Sequence, residues 1–231
     1  MLKRIVILLG AISLAVGLAW GQAASTGGIS GTVVNAKGTG LAAAVRVTSL
    51  GSSRQGAPIQ SGADGSFTVT GVPAGLYRIC ATPSVPGYID SCLWRGGGPV
   101  NVTAGKTVAG RKVMVETAGT LLVQIEDPSG LLSQAAPSAA NGTVAQFLMV
   151  GVLTDNKLFV SAPVTASGST ERNHAVAVPV GRNVSLRLMT HGLAVSTTAA
   201  PDTDLSGTDI PVTVAPGQAS PLVFSVRGAG N

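Results

Sequence analysis

Large rings and charges are both scarce in this chain of 231 residues: aromatic side chains make up 3% of it and charged ones 11%. An average soluble domain is about 25% charged. With two Trp, two Tyr and four Phe, the interior has to be assembled from Val, Leu, Ile and Ala in thin layers. Helical periodicity is absent over any useful window, which excludes a helical bundle. There are only two His and two Cys. A metal centre takes three or four ligands, and no His or Cys here lies near enough to another in sequence to suggest one. No stretch beyond the N-terminus is apolar enough to span a bilayer.

Also missing is a basic stripe. Outside Lys3 and Arg4 the cations stand singly, except for Arg111-Lys112. Neutralising nucleic-acid phosphates takes clustered Lys and Arg, so no nucleic-acid partner is expected. Lys3 and Arg4 instead open a secretory signal. They form its positive n-region, Ile5 to Leu18 is an uncharged apolar h-region, and Gly21-Gln22-Ala23 offers small residues for cleavage after Ala23. Removing residues 1–23 takes two of the 15 cations, leaving 13 Lys+Arg against 10 Asp+Glu, near +3. The mature chain is expected to be secreted or periplasmic, with no membrane association after cleavage. In such an oxidising compartment Cys80 and Cys92, an even pair, are expected to join in a disulfide. The closed loop is short, and the chain-entropy estimate is about 3 kcal/mol.

Val, Thr, Gly and Pro supply what charges and rings do not. β-branched residues suit a pleated, half-buried surface, and Gly and Pro punctuate turns. Short apolar or alternating runs predict strands at Ile29–Val34, Val45–Leu50, Phe67–Val72, Leu76–Ala81, Val100–Val102 and Val108–Glu116. Asp64-Gly65 reads as a tight hairpin turn and Pro73-Ala74-Gly75 as a second close connection. A second series follows Gly119: Leu121–Glu126, Ala145–Leu153, Leu158–Val164, Ala175–Val178, Val184–Met189 and Leu222–Val226. Segments 129–142 and 197–209 read as loops. The expected architecture is all-β: two tandem immunoglobulin/prealbumin-like β-sandwich domains, 28–117 and 118–228, after the signal peptide. A short internal echo, Val72-Pro73-Ala74-Gly75 against Val178-Pro179-Val180-Gly181, fits two related halves.

Within the first half, the strand Gly31-Thr32-Val33 is followed by Gly40-Leu41 and by Ala44-Val45-Arg46-Val47. Then come Asp64-Gly65-Ser66-Phe67-Thr68-Val69 and Val72-Pro73-Ala74-Gly75-Leu76-Tyr77-Arg78-Ile79. Residues 28–117 resemble the carboxypeptidase regulatory-like domain, a prealbumin-like or starch-binding-like β-sandwich family. The resemblance implies that Phe67 and Val69 point inward and meet Tyr77 and Ile79 from the next strand. It implies little about function, because this sandwich is fused to peptidases, receptors and surface proteins alike. The zinc peptidase that names the family needs two His and a Glu, with a His-x-x-Glu pair. Neither His174 nor His191 is followed by such a Glu. No Gly-x-Ser-x-Gly elbow occurs either, and a paired Cys80 and Cys92 leave no thiol nucleophile. No enzyme and no cofactor is expected.

Two segments remain as candidate sites. Tyr88 and Trp94 flank Cys92 in a Pro- and Gly-rich stretch, and rings there can stack on a sugar or anchor a partner. The competing reading packs Trp94 over the disulfide as a cap. Asp202, Asp204 and Asp209 have calcium-loop oxygen spacing, with Gly207 at the sixth place; Thr213 stands where a bidentate Glu is needed, which favours a solvated turn. The function expected is a non-catalytic accessory or surface protein acting on an unknown protein partner. The alternative is a carbohydrate-binding module for a polysaccharide, using Trp94 and Tyr88.

Overall fold

The computed structural model describes residues 26–51, 56–94, 97–132, 146–217 and 220–229. The expected signal peptide, 1–23, lies outside these, as do residues 133–142 of the expected loop. Among the described residues the only helix is one turn, and everything else regular is strand.

Alternation sets the faces. In β2 (Ala43–Ser49) Ala43, Val45 and Val47 are buried, and in β5 (Gly75–Pro83) Tyr77, Ile79 and Ala81 are buried, with polar or half-exposed residues between. β1 (Thr26–Val34) lies between β4 (Ser66–Pro73), antiparallel to it, and β8 (Thr107–Met114), parallel to it. Opposite them runs a four-stranded antiparallel sheet of order β3-β2-β5-β7, where β3 is Ile59–Gln60 and β7 is Pro99–Val102. The inner faces share one core that includes Ile29, Val33, Val45, Phe67, Tyr77, Ile79 and Val115. Phe67 thus meets Tyr77 and Ile79 across the sandwich, as the family pattern implies, and Val69 sits half-buried at the margin of that core.

One connection differs from expectation. Asp64-Gly65 does not close a hairpin, because β3 and β4 lie in different sheets. The turn is an arch that carries the chain across the core. Asp64 Oδ1 accepts bonds from the Ser66 amide (3.0 Å) and hydroxyl (2.7 Å), while Gly65 adopts φ +78° and packs against Val33 and Leu41. Only the path of the tertiary fold separates an arch from a hairpin, since both need the same turn residues.

The second set of sheets repeats this plan. β9 (Glu116–Glu126) lies between β13 (Glu171–Pro179), antiparallel, and β17 (Leu222–Gly228), parallel. The facing sheet has the order β11-β10-β14-β16, all antiparallel: Phe159–Ser161, Phe147–Leu153, Asn183–His191 and Ile210–Thr213. Strand for strand, β9, β10, β11, β13, β14, β16 and β17 stand where β1, β2, β3, β4, β5, β7 and β8 stand in the first set. The echoed Val-Pro tetrapeptides fall at the same point, the end of β4 and the end of β13. Two strands have no counterpart among the described residues, β12 (Val164–Ser167) and β15 (Leu193–Ser196), and both are edges of the enlarged sheet.

Several strands depart from the sequence reading. Leu158–Val164 splits into β11 and β12, in different sheets, at Pro163, which has no N–H for the ladder. Val108–Glu116 likewise divides into β8 and the start of β9, with Val115 alone between them. The sequence reading has no strand at β3, β15 or β6 (Tyr88–Ile89).

Candidate interaction surface

The segment after β5 is bound on both sides. The Cys80–Cys92 disulfide ties it to β5, with Cα atoms 5.1 Å apart. Asp90 caps the single helical turn α1 (Ser91–Trp94): its Oδ1 accepts the Cys92 amide at 2.8 Å and its Oδ2 the Thr82 hydroxyl at 2.6 Å. Ser91 Oγ accepts the amide of Ala81 at 3.1 Å. β6 then pairs with the first residues of β9, Tyr88 with Thr117 and Ile89 with Glu116. Ile89 and Trp94 are members of the second core, with Leu121, Val123, Ile125 and Phe224. A loop of the first sandwich thereby supplies a large ring to the interior of the second.

Of the two readings of Trp94, an open binding ring and a structural cap, the structure bears against the first. The Trp94 side chain is 1% exposed, and its Nε1 is buried without a hydrogen-bond partner among the described residues. Tyr88 is half-buried, and its hydroxyl accepts a bond from Asn35 Nδ2 at 3.2 Å. No stacking face for a sugar is left on Trp94, so the ring is structural. The disulfide is as expected.

The acidic loop is equally committed. Asp204 Oδ1 accepts bonds from the amides of Val195 and Ser206 and from the Ser206 hydroxyl. Burial pushes the Asp204 carboxyl up, but the Ser206 and Val195 donors together with Arg227 outweigh it and hold the group below the ordinary aspartate range. Asp209 pairs with Arg187 at 2.6 Å, and the Asp202 carbonyl accepts from Arg227. Among the described residues no three His, Cys, Asp or Glu groups are placed to hold a metal ion.

What the fold does expose is apolar. On the outer face of the β11-β10-β14-β16 sheet, Phe147 is 45% and Met149 43% exposed. Register places His191 opposite Phe147 and Met189 opposite Met149. The Phe147 and His191 rings stack at 5.9 Å. Phe159 continues the row, its ring lying over Gly151, where a Cβ would meet it at 2.3 Å. The Arg187–Asp209 ion pair borders the patch. Two of the four Phe and two of the four Met thus share one sheet face. Sequence gave no sign of it, because Phe147–Leu153 is apolar at every position except Gly151 and reads as a strand covered on both sides.

A second exposed feature lies between the edges of the first sandwich. A cavity of about 610 Å³ opens between β4 and the β2–β3 edge, lined by Val45, Val47, Ile59, Val69, Val72 and Tyr77 among others.

No family model matches this chain, and no curated protein matches it. Solved structures similar to it include a Bacillus anthracis TIE protein, at 13% identity and TM-score 0.33, covering 87% of this chain and 33% of that one. A streptococcal ancillary pilin is similar at 13% identity and TM-score 0.39, covering 88% and 63%. The Bacillus cereus major pilin subunit BcpA, as its D312A variant, is similar at 9% identity and TM-score 0.34, covering 80% and 81%. The chain spans about a third of the first of these and under two thirds of the second. Likeness at this level assigns neither family nor activity, and the resemblance of residues 28–117 to the carboxypeptidase regulatory-like domain reaches the sandwich and not membership.

Proposed function

We propose that this is an exported, non-catalytic accessory or surface protein that works by contact with another protein. In this reading residues 1–23 are removed on export, and 28–117 and 118–228 are two sandwiches of one mature chain. The Phe147–Met149–Phe159–Met189 face carries the proposal. In a chain this poor in rings, exposing Phe147 and Met149 beside the half-buried Phe159 and Met189 on one sheet face costs solubility unless something covers them. The ion pair at its border is the polar rim typical of such patches. The Cys80–Cys92 bridge supports an oxidising, exported location. No helix among the described residues is long and apolar enough to cross a membrane.

The test compares wild-type mature protein with Phe147→Asp and Met149→Asp as bait for the envelope fraction of the producing cells. A partner captured by the wild type and lost by both variants, at unchanged melting temperature, supports the reading. Capture that is indifferent to these substitutions overturns it.

A further inference from the structure

The two sandwiches differ at one edge. In the second, the outer edge of β13 is covered by β12, an antiparallel, uncharged, four-residue strand with Val164 opposite His174 and Ser167 opposite Arg172. In the first, the counterpart of β13 is β4, and among the described residues no strand lies beyond it. The connection that carries β12 in the second is too short here to hold a strand. Only residues 61–65 separate β3 from β4, whereas residues 162–170 separate β11 from β13 and carry β12.

The bare edge offers ready hydrogen bonds. The Gly28 amide bonds the Lys106 carbonyl beside β8, so even residues of β1 turn toward β8 and odd ones toward β4. The Val33 amide, accepted by the Gly65 carbonyl, fits this phase. Phe67 and Val69 therefore bond β1, while Ser66, Thr68 and Thr70 direct their N–H and C=O groups outward. Ser66 is already used, its amide by Asp64 and its carbonyl by Gly62. Thr68 and Thr70 remain.

Edge strands are normally protected by charge, proline or brevity. Among the described residues the edge strands longer than four residues are β4 and β8, and β8 carries Arg111 and Lys112. β4 has no charge, and its Pro73 stands at the far end, beyond the irregularity at Gly71. Beside a twofold axis the central residue faces its own copy and its neighbours face each other's, so a strand without charge meets no like-charge repulsion there.

We propose that β4 pairs antiparallel with β4 of a second copy of this chain, about a twofold axis beside Val69. Thr68 then exchanges both backbone hydrogen bonds with Thr70 of the other copy, and Thr70 with Thr68. Val69 faces Val69 on the inner side, and the two valines close the mouth of the 610 Å³ cavity. The two three-stranded sheets become one of six. The pairing goes beyond the partner-binding face proposed for β10 and β14, and different variants test the two.

Sedimentation of the mature wild-type protein across a concentration series should show a monomer–dimer equilibrium. Thr68→Pro removes an outward N–H that β1 does not use, so the fold should persist while dimerisation weakens about tenfold or more. If Thr68→Pro melts abnormally, Thr68→Lys replaces it and should act in the same direction through like charge. Register is read by cysteine: Val69→Cys should oxidise to a covalent dimer, whereas Thr68→Cys, opposite Thr70, should not. A single monomer mass at every concentration overturns the proposal, as does a dimer indifferent to Thr68→Pro and Thr68→Lys. Cross-linking of Thr68→Cys in preference to Val69→Cys refutes the register.

Discussion

Truncating Trp94 to alanine should weaken a part of the protein to which its sequence position does not assign it. A tryptophan buries about 150–250 Å², and at about 25 cal/mol per Å² that burial is worth roughly 4–6 kcal/mol. The ring is 1% exposed, so nearly all of this applies. The unpaired Nε1 works the other way, since relieving a buried unsatisfied donor returns about 1–3 kcal/mol. The expected net loss is about 3 kcal/mol, at the low end for truncating a buried aromatic. Trp94→Phe discards the orphan N–H and keeps most of the ring, so it should recover most of the loss. Urea denaturation followed by β-sheet circular dichroism measures both variants. Hydrogen exchange locates the damage: amides of β9 and β13 should lose protection while those of β1 and β4 keep theirs, because Trp94 belongs to the core that includes Leu121, Val123 and Val176. Trp94 is the only tryptophan beyond residue 23. In the folded wild type its fluorescence should therefore be blue-shifted and poorly quenched by iodide. A near-neutral Trp94→Ala, with emission at the wavelength of exposed indole, would refute the buried placement.

Three further outcomes follow from the same geometry. Gly65→Val should destabilise the fold by at least 1–3 kcal/mol for the strained φ of +78°, and more because its Cβ would sit 2.2 Å from the Val33 carbonyl oxygen; a neutral result by chemical denaturation would mean the arch is placed wrongly. Reducing Cys80–Cys92 should cost about 3 kcal/mol by loop entropy and free the segment that holds Trp94, so fluorescence should red-shift below the global melting temperature; coincident transitions would show the bridge is dispensable to that packing. Asp64, held low chiefly by the Ser66 hydroxyl, and Asp204 both have depressed carboxyl pKa values. A group depressed on folding stabilises above its unfolded pKa and loses that contribution as pH falls through the folded one. The melting temperature should thus drop as pH falls below about 4, and less steeply in Asp64→Asn and Asp204→Asn; an identical slope in the variants would remove these two carboxylates from the account.

The apolar runs and turn residues of this chain decide by themselves that it is all-β, because alternation and β-branching act within a few residues. The Asp64-Gly65 turn and the pairing of Cys80 with Cys92 were legible for the same reason, since each rests on a local rule or on a count of two, whereas the inward Phe67 and Tyr77 came from the family resemblance. The carboxylates of the 202–209 loop were also readable as a turn, since the ligand missing at Thr213 is a matter of spacing.

Tertiary structure decided the rest. Whether Asp64-Gly65 makes a hairpin or an arch depends on which sheet the next strand joins, and no turn residue encodes that. Trp94 sits in a Gly-rich stretch that fits an open ring as well as a buried cap; β6 pairs with β9, and the ring belongs to a core formed by residues beginning some 27 positions later, at Leu121. Phe147 and Met149 lie in an almost unbroken apolar run, where exposure is set by what is packed on the far side of the sheet. The bare edge of β4 is visible only when the two sandwiches are laid over each other and β12 is found in one and not the other. Local sequence fixes which residues extend and turn; contacts between distant segments fix which of their faces and edges are left for another molecule.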